Sequence, residues 1–503
     1  MKKVTVIGAG INGLVAANYL QRSGCEVTLL ERNERVGGAC TFKDIEFKGK
    51  TYPVPTGASV FGMMQDFVFK ETGLAEKIEV YRPSHPTLAY FGDDAKPLLL
   101  DSSTKEFADE VKARWNENGN IIRYNIELEK VRQFLISGFR EAKVPSLEEA
   151  EASLGKTLTQ RWISGSAEDL YKEFFTSDVL KILKSMPVTE SGPVSLQAPF
   201  SALSIPLMAS GNVFGGNWGY VRGGIWEITS KLSEINQKLG VQTLTSCQVK
   251  RIDTASLTVE YKDAQQATAF VKSDAIFIAT DPFTAAKICD DMKIVEGKKT
   301  LGSSGKVLLV FKAPVKWKGD TKKADFDSAF RFIYAHSDFK RFQESNSQIQ
   351  KRRDHYLPSC IQVYCEGAAF RRMGREMDYD YLSAFCKDMG FTERGKDLPQ
   401  IKEEITQNIL SRIENPDAFV GSVLYTPKDL KEMFYFPEGN IDHIELCENQ
   451  TYLQRTFSSQ PNRSFYQFGD YKNLFYCGAG SYPCGSVAGT PGYLAATQWL
   501  RSK

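Results

Sequence analysis

Three glycines with turn-forming spacing stand early in the chain, in Val4-Thr5-Val6-Ile7-Gly8-Ala9-Gly10-Ile11-Asn12-Gly13. A short apolar strand feeds a glycine turn that opens a helix. Gly8 permits the turn, Gly10 lets a pyrophosphate approach the backbone, and Gly13 lets helix and strand pack closely. Ile11 and Asn12 begin the helix, whose free N–H groups and positive dipole end attract phosphate. A second strand, Glu26 to Glu31, ends in a carboxylate about 20 residues on, suited to a ribose diol. Strand, glycines, helix, second strand and terminal acid occur in that order, and together they predict a dinucleotide site. Arg32 follows the acid. The glycine pair Gly37-Gly38, with Ala39 after it, would let backbone pass close to further phosphate and ribitol, a cradle suited to a longer, bent dinucleotide.

The chain that must position these residues has 503 of them, 42% hydrophobic and 25% charged, with a net charge of +2. That composition is globular and offers no electrostatic argument for nucleic acid. The apolar run after Met1-Lys2-Lys3 reads as strand, turn and helix rather than an export leader, so a cytoplasmic protein is expected. The ten cysteines contain no C-x-x-C, and Cys360 and Cys365, separated by four residues, read as ordinary thiols. No metal-ligand cluster, H-E-x-x-H or Ser-His-Asp order is visible, and no metal is expected.

The expected organisation is discontinuous. Residues 1–75, 216–300 and 440–503 carry nucleotide-domain patterns. Residues 76–215 and 301–439 read as an interleaved α+β substrate domain. Charged amphipathic stretches, Glu106 to Trp115, Ile122 to Ala142 and Ala167 to Met186, make the first insertion mostly helical. Arg222-Gly223-Gly224 opens a helix through Leu239. Strands are expected at Thr243 to Ile252, Leu257 to Tyr261, Ala267 to Lys272 and Asp274 to Thr280, then at Lys306 to Phe311, Cys360 to Tyr364 and Leu474 to Cys477. Lys316 to Asp327 reads as a surface loop.

The glycine pair and the C-terminal run Leu474-Phe475-Tyr476-Cys477-Gly478-Ala479-Gly480-Ser481-Tyr482-Pro483-Cys484-Gly485-Ser486-Val487-Ala488-Gly489-Thr490-Pro491-Gly492-Tyr493 resemble the FAD-dependent phytoene desaturase and carotenoid isomerase group of the amine oxidase-like superfamily. Thr426-Pro427-Lys428-Asp429-Leu430, Gly439-Asn440-Ile441-Asp442-His443, Val221-Arg222-Gly223-Gly224 and Ala279-Thr280-Asp281-Pro282 resemble it too. The resemblance implies an α/β, Rossmann-type FAD-binding domain of the glutathione reductase-like kind. It implies FAD contacts from the N-terminal residues already named, from Val249, and from Gly478, Ala479, Gly480, Ser486, Val487 and Gly489. The family usually has His-Pro-Gly-Gly-Gly where this chain has Tyr482-Pro483-Cys484-Gly485-Ser486.

A second G-x-G-x-x-G is absent, so electrons would leave through the substrate cleft to oxygen, a quinone or a transient nicotinamide. Two side chains stand out as catalytic candidates. Lys306 resembles the lysine held near flavin N5 in amine oxidases, and His443 sits in a family-like motif. His85, His336 and His355 lie in polar contexts. The apolar stretches Gly62 to Phe69 and Pro199 to Phe214 read as core or domain interface, or else as the wall of a tunnel for a lipophilic substrate; a lipid or polyene substrate would bring peripheral membrane contact. Three functions are weighed: an FAD oxidoreductase that desaturates or isomerises a hydrophobic substrate; a flavin amine or amino-acid oxidase using oxygen; and a non-catalytic flavin-binding protein.

Overall fold

A computed structural model describes residues 1–502 apart from 93, 95, 101–104, 191, 320–324, 352–358 and 392–396. Three distant stretches of chain build one five-stranded sheet, in the order Leu474–Tyr476, Ala275–Ile278, Lys3–Ile7, Glu26–Leu30, Gln242–Leu244. All its pairs are parallel, with Val4 between Ala275 and Val27. Such strands are buried on both faces and must be apolar nearly throughout. The one polar interior residue of the first strand, Thr5, meets the Ser273 hydroxyl at 2.6 Å.

Alternate residues serve opposite faces of the sheet. Val4, Val6, Val27, Leu29 and Phe277 pack into the large core with the helix Ile11–Arg22. Ile7, Leu30, Ile276 and Ile278 pack with Ile252 and Val259 of an antiparallel sheet formed by Gln248–Asp253, Thr258–Lys262 and Thr268–Lys272. The helix Ile11–Arg22 lies against both Trp226–Leu239 and the C-terminal helix Thr490–Arg501. Asn236 locks the first of these contacts, accepting from Asn18 at 2.8 Å and donating to the Leu14 carbonyl at 2.9 Å.

A seven-stranded sheet forms the other half. Its order is Phe419–Tyr425, Gly305–Phe311, Asp380–Cys386, Cys360–Tyr364, Phe330–Tyr334, Thr87–Phe91, Leu98–Leu99. All its pairs are antiparallel except Phe330–Tyr334 with Thr87–Phe91. Helices between residues 105 and 208 pack largely on one another, and Trp115 of the first meets Phe91 of this sheet with ring centres 5.6 Å apart. The architecture is α/β, a Rossmann-type domain with an interleaved α+β half.

Several local expectations are corrected. The run Thr243 to Ile252 is two strands in different sheets, broken at residues 245–247. The stretch Ala167 to Met186 is two helices, because the Ser177 hydroxyl caps a new start at Asp178. The first insertion is mostly helical as expected, and it also lends Thr87–Phe91 to the large sheet. Of the two readings of Gly62 to Phe69 and Pro199 to Phe214, core is the one observed: Met63, Met64, Phe67, Leu203, Ile205 and Leu207 are buried in it, and neither run lines the cavity described below. Lys316 to Asp327 is not wholly a surface loop: Trp317 is buried and bridges to Ile413, while 320–324 lie outside the described residues.

Candidate active site

One cavity joins the two halves of the molecule. Its nucleotide end is bounded by Gly8, Gly10, Ile11 and Asn12, by Glu31 and Arg32, and by Gly37, Gly38 and Ala39. Val249, Ala279, Thr280 and Asp281 add a side wall, and Ala479, Gly485, Ser486 and Val487 bring in the C-terminal turn. Tyr364 and Phe385 of the large sheet, with Val60 and Trp218 that pack against that sheet, line the same cavity with Glu190 and His443.

The glycine turn is tightly built. A Cβ on Gly13 would stand 1.9 Å from the Gly8 carbonyl oxygen, so this position packs and does not line the groove. Gly37 donates its N–H to the Ala9 carbonyl at 2.9 Å. This lays the glycine pair on the turn, and a Cβ on Gly38 would meet the Gly10 Cα at 3.2 Å. Gly478, Gly480 and Gly489 also lie behind the cavity lining: a Cβ on Gly478 would stand 2.4 Å from the Thr280 carbonyl oxygen. The C-terminal helix closes in as well, since a Cβ on Gly492 would meet the Asn12 carbonyl oxygen at 2.0 Å.

Three features fit a bound dinucleotide. The helix Ile11–Arg22 begins at Gly10 with no side-chain cap and no acid in its first turn, leaving its N–H groups for an anion. Asn12 Oδ1 is buried and has no hydrogen-bond partner, and a buried acceptor left unpaired is costly. The Glu31 carboxylate accepts the N–H of Ala9 at 2.8 Å and of Asn33 at 2.9 Å, which fixes it at the rim of the groove.

Arg455 ties the loop after residue 440 to the C-terminal turn. Its guanidinium is fully buried and donates to the carbonyls of Asp442 at 2.9 Å and Ala479 at 3.0 Å, with longer bonds to Ile444, Glu445, Gln450 and Ser481. Asp442 in turn accepts the Gly485 N–H at 2.8 Å. Sequence reasoning missed this arginine, because its partners are all backbone carbonyls.

His443 follows in the same loop, in the left-handed region at φ 67°. Its Nδ1 is shielded from solvent without a hydrogen-bond partner. Burial and the positive Arg455 lower its pKa to about 3, so the imidazole is neutral at ordinary pH. It presents a neutral polar group to the cavity and no acid.

Lys306 lies behind the cavity wall. Its Nζ donates to the Gly57 carbonyl at 2.5 Å and to Ser59 Oγ at 2.7 Å, and Gly57 and Ser59 face the cavity in its place. Burial lowers its pKa to about 7, opposed by Glu366 and Cys40. Aromatic walls that the sequence did not assign come from Trp218, Tyr364 and Phe385, the last two with ring centres 6.3 Å apart. Glu190 stands beside them, paired with Lys387 at 3.0 Å and Gln362 at 3.1 Å. His85 and His336 do not line the cavity, and His355 lies outside the described residues. Cys360 and Cys365 are free thiols. Among the described residues no group of three metal-ligating side chains is placed to hold an ion, and no helix is long and apolar enough to cross a membrane.

A family model described as an NAD(P)-binding Rossmann-like domain matches residues 6–68. Pyridine nucleotide-disulfide oxidoreductase domain-containing protein 2 of Rattus norvegicus is 22% identical, over 98% of this chain and 92% of that protein. The 4,4'-diapophytoene desaturase (4,4'-diaponeurosporene-forming) of Staphylococcus aureus (strain COL) is also 22% identical, over 96% and 95%. Among solved structures, wild-type putrescine oxidase bound to putrescine matches with a TM-score of 0.62 at 14% identity, covering 100% of this chain and 98% of that one. Cyclohexylamine oxidase from Brevibacterium oxydans IH-35A gives 0.60 at 14%, with the same coverage. The curated relatives thus lie where the sequence resemblance points, among desaturase-like oxidoreductases, and the fold is shared with the amine oxidases.

Proposed function

We propose that this chain, a homologue of oxidoreductases, binds FAD and desaturates or isomerises a hydrophobic, polyene-like small molecule. One observation carries the reading: a single cavity runs from the uncapped helix start and its glycine cradle to the aromatic side chains of the large sheet. A nucleotide held at one end would place its reactive part toward a substrate at the other.

The N–H groups at Ile11 and Asn12 would hold the pyrophosphate, with Gly10 and Gly38 giving it room. Glu31 would take a ribose diol. When bound, FAD would supply two-electron exchange with a carbon–hydrogen bond. The chain's own work is positioning. Val60, Trp218, Tyr364 and Phe385 offer an apolar wall that orients a hydrophobic substrate and excludes water. His443, neutral and unpartnered at Nδ1, offers a hydrogen bond without changing charge. With no second glycine motif, the acceptor would be oxygen, a quinone or a transient nicotinamide. A lipophilic substrate would bring the protein to membrane surfaces.

The test has two stages. Purified protein should be yellow, with bands near roughly 370 and 450 nm, general flavin properties. Colourless protein that FAD cannot reconstitute overturns the reading. Anaerobic bleaching by polyenes in detergent then identifies the substrate class. A second reading, oxidation of an amine, is favoured by the aromatic walls beside Glu190. Peroxide release across a panel of amines would select it.

A further inference from the structure

Four buried side chains form an unbroken line of hydrogen bonds away from the cavity. Lys306 Nζ donates to Ser59 Oγ at 2.7 Å, Ser59 Oγ meets Ser383 Oγ at 2.7 Å, and Ser383 Oγ donates to a Glu366 carboxylate oxygen at 2.6 Å. None of the four is more than 5% exposed. Only Ser59 faces the cavity. Lys306 belongs to the strand Gly305–Phe311, Ser383 to Asp380–Cys386 and Glu366 to the helix start beyond Cys360–Tyr364, so three neighbouring elements hold the line rigid.

Each serine hydroxyl accepts one hydrogen bond and donates one. Reversing both hydroxyls gives a second complete pattern, in which a protonated Glu366 donates to Ser383, Ser383 to Ser59, and Ser59 to a neutral Lys306 amine. The two patterns differ by one proton moved from one end to the other, and neither leaves a buried group unpaired.

We propose that Ser59 and Ser383 form a proton wire from the cavity wall to Glu366, with Glu366 the proton store for chemistry in the cavity. That use rests on the oxidoreductase reading; the wire itself rests on the geometry. The step balances. A proton leaving a donor in the cavity binds Ser59 Oγ, the Ser59 proton passes to Ser383 Oγ, and the Ser383 proton passes to Glu366, whose carboxylate becomes a carboxylic acid. No bond to carbon and no electron is involved.

The electrostatics agree. Burial raises the Glu366 pKa to about 7, opposed by Lys306 and the serine hydroxyls, and lowers that of Lys306 to about 7. Asp380, ion-paired with Arg371 at 2.7 Å, packs on Gly367 next to Glu366, and the remaining titratable neighbours named here are neutral. Cys40 beside Lys306 is pushed up to about 12, and Tyr220, Tyr364 and Tyr381 around Glu366 are raised well above the ordinary phenol value by burial. The Phe385 ring covers Lys306 at 5.2 Å. Burial thus brings the carboxyl up and the amine down toward one another, the direction that a proton wire able to run either way needs.

Infrared titration of the full chain tests this without a substrate. A buried carboxylic acid has a C=O band clear of the carboxylates and amides. A band titrating with its midpoint near neutrality is expected in the wild type and absent in Glu366→Gln. Lys306→Met should move the midpoint upward by about one unit or more, because the opposite charge is gone. Ser383→Ala, which removes the hydroxyl donating to Glu366, should also move it upward, and it serves if another variant fails to fold. The absence of any Glu366-dependent band titrating between about pH 5 and 9, or a midpoint indifferent to both Lys306→Met and Ser383→Ala, overturns the wire. The titration needs no flavin, so a protein that fails to bind FAD would sink the functional reading and leave this result standing.

Discussion

The Arg32 guanidinium carbon lies 3.2 Å from the ring centre of Tyr435. Arg32 follows the carboxylate that ends the second strand of the parallel sheet. Tyr435 caps the helix Pro427–Phe434 of the other half, at φ 58° in the left-handed region. Both line the groove next to Glu31, together with Met433, Phe434 and Phe436. The cation–π contact roofs the end of the groove where an adenosine would sit. Base–aromatic stacking is worth about 1–3 kcal/mol, so Tyr435→Ala should weaken FAD binding roughly tenfold and leave FMN binding unchanged. Fluorescence titration with both flavins decides it; equal losses would place Tyr435 away from the adenosine end.

Gly38 sits at φ 57° against Gly10. A side chain there is strained and fills the space between the glycine pair and the phosphate turn. Gly38→Val should reduce flavin affinity by roughly a hundredfold or more, read as loss of the yellow colour after desalting. Full retention of flavin would remove the pair from the cofactor site.

His443 makes stability depend on acid. In the folded protein its pKa is lowered to about 3 from an ordinary 6.5, so the folded state stays neutral while the unfolded chain takes up a proton. The stabilising difference is absent above the unfolded value and turns into a cost as pH falls from 6.5 toward 3. Between about pH 7 and about pH 5 the apoprotein should lose about 2 kcal/mol through this group. Urea denaturation at the two pH values measures it, and His443→Gln should flatten the slope. An unchanged slope in the variant would refute the assignment.

Arg455 is the only side chain among those described that reaches both the Asp442–Gln450 loop and the Ala479–Ser481 turn with one guanidinium. Removing a buried hydrogen-bonding cation of this kind costs about 3–5 kcal/mol. Arg455→Lys keeps the charge but not the fork, so it should recover less than half of the lost stability. Because the clasp sets the Gly485–Val487 turn, FAD affinity should fall with it; thermal melts with and without FAD separate the two effects.

Much of the nucleotide half was legible in the sequence because its residues are constrained locally. Gly13 faces backbone at a distance a side chain would violate, Gly8 and Gly38 adopt positive φ in tight surroundings, and such demands leave glycines in a recognisable order. The strands Val4 to Ile7 and Ala275 to Ile278 are apolar on both faces and read plainly as buried. The other half is written in long-range pairings. Thr87–Phe91 finds its partner at Phe330–Tyr334, some 240 residues away, and no local period announces that. The same holds for the cavity. Trp218, Tyr364, Phe385 and Glu190 share a wall only because sheet order brings them together, whereas the apolar runs Gly62 to Phe69 and Pro199 to Phe214 were drawn inward by hydrophobic packing. Lys306 stood out as a polar residue opening an apolar strand, but its four-member hydrogen-bonded line spans residues 59 to 383 and has no linear signature.

The five-stranded parallel sheet also has a consequence in time. Lys3–Ile7 and Glu26–Leu30 are made long before Leu474–Tyr476 and the helix Thr490–Arg501 that packs on Ile11–Arg22. Until then the edge of Ala275–Ile278 has no neighbour, and one wall of the groove does not exist. While the intervening residues are made, a nascent chain must carry an open, apolar sheet edge, first of Lys3–Ile7 and then of Ala275–Ile278, exposed to unwanted strand pairing. Cofactor capture would have to wait until Ala479 to Val487 join the wall, and it would then act as the latch on that closure.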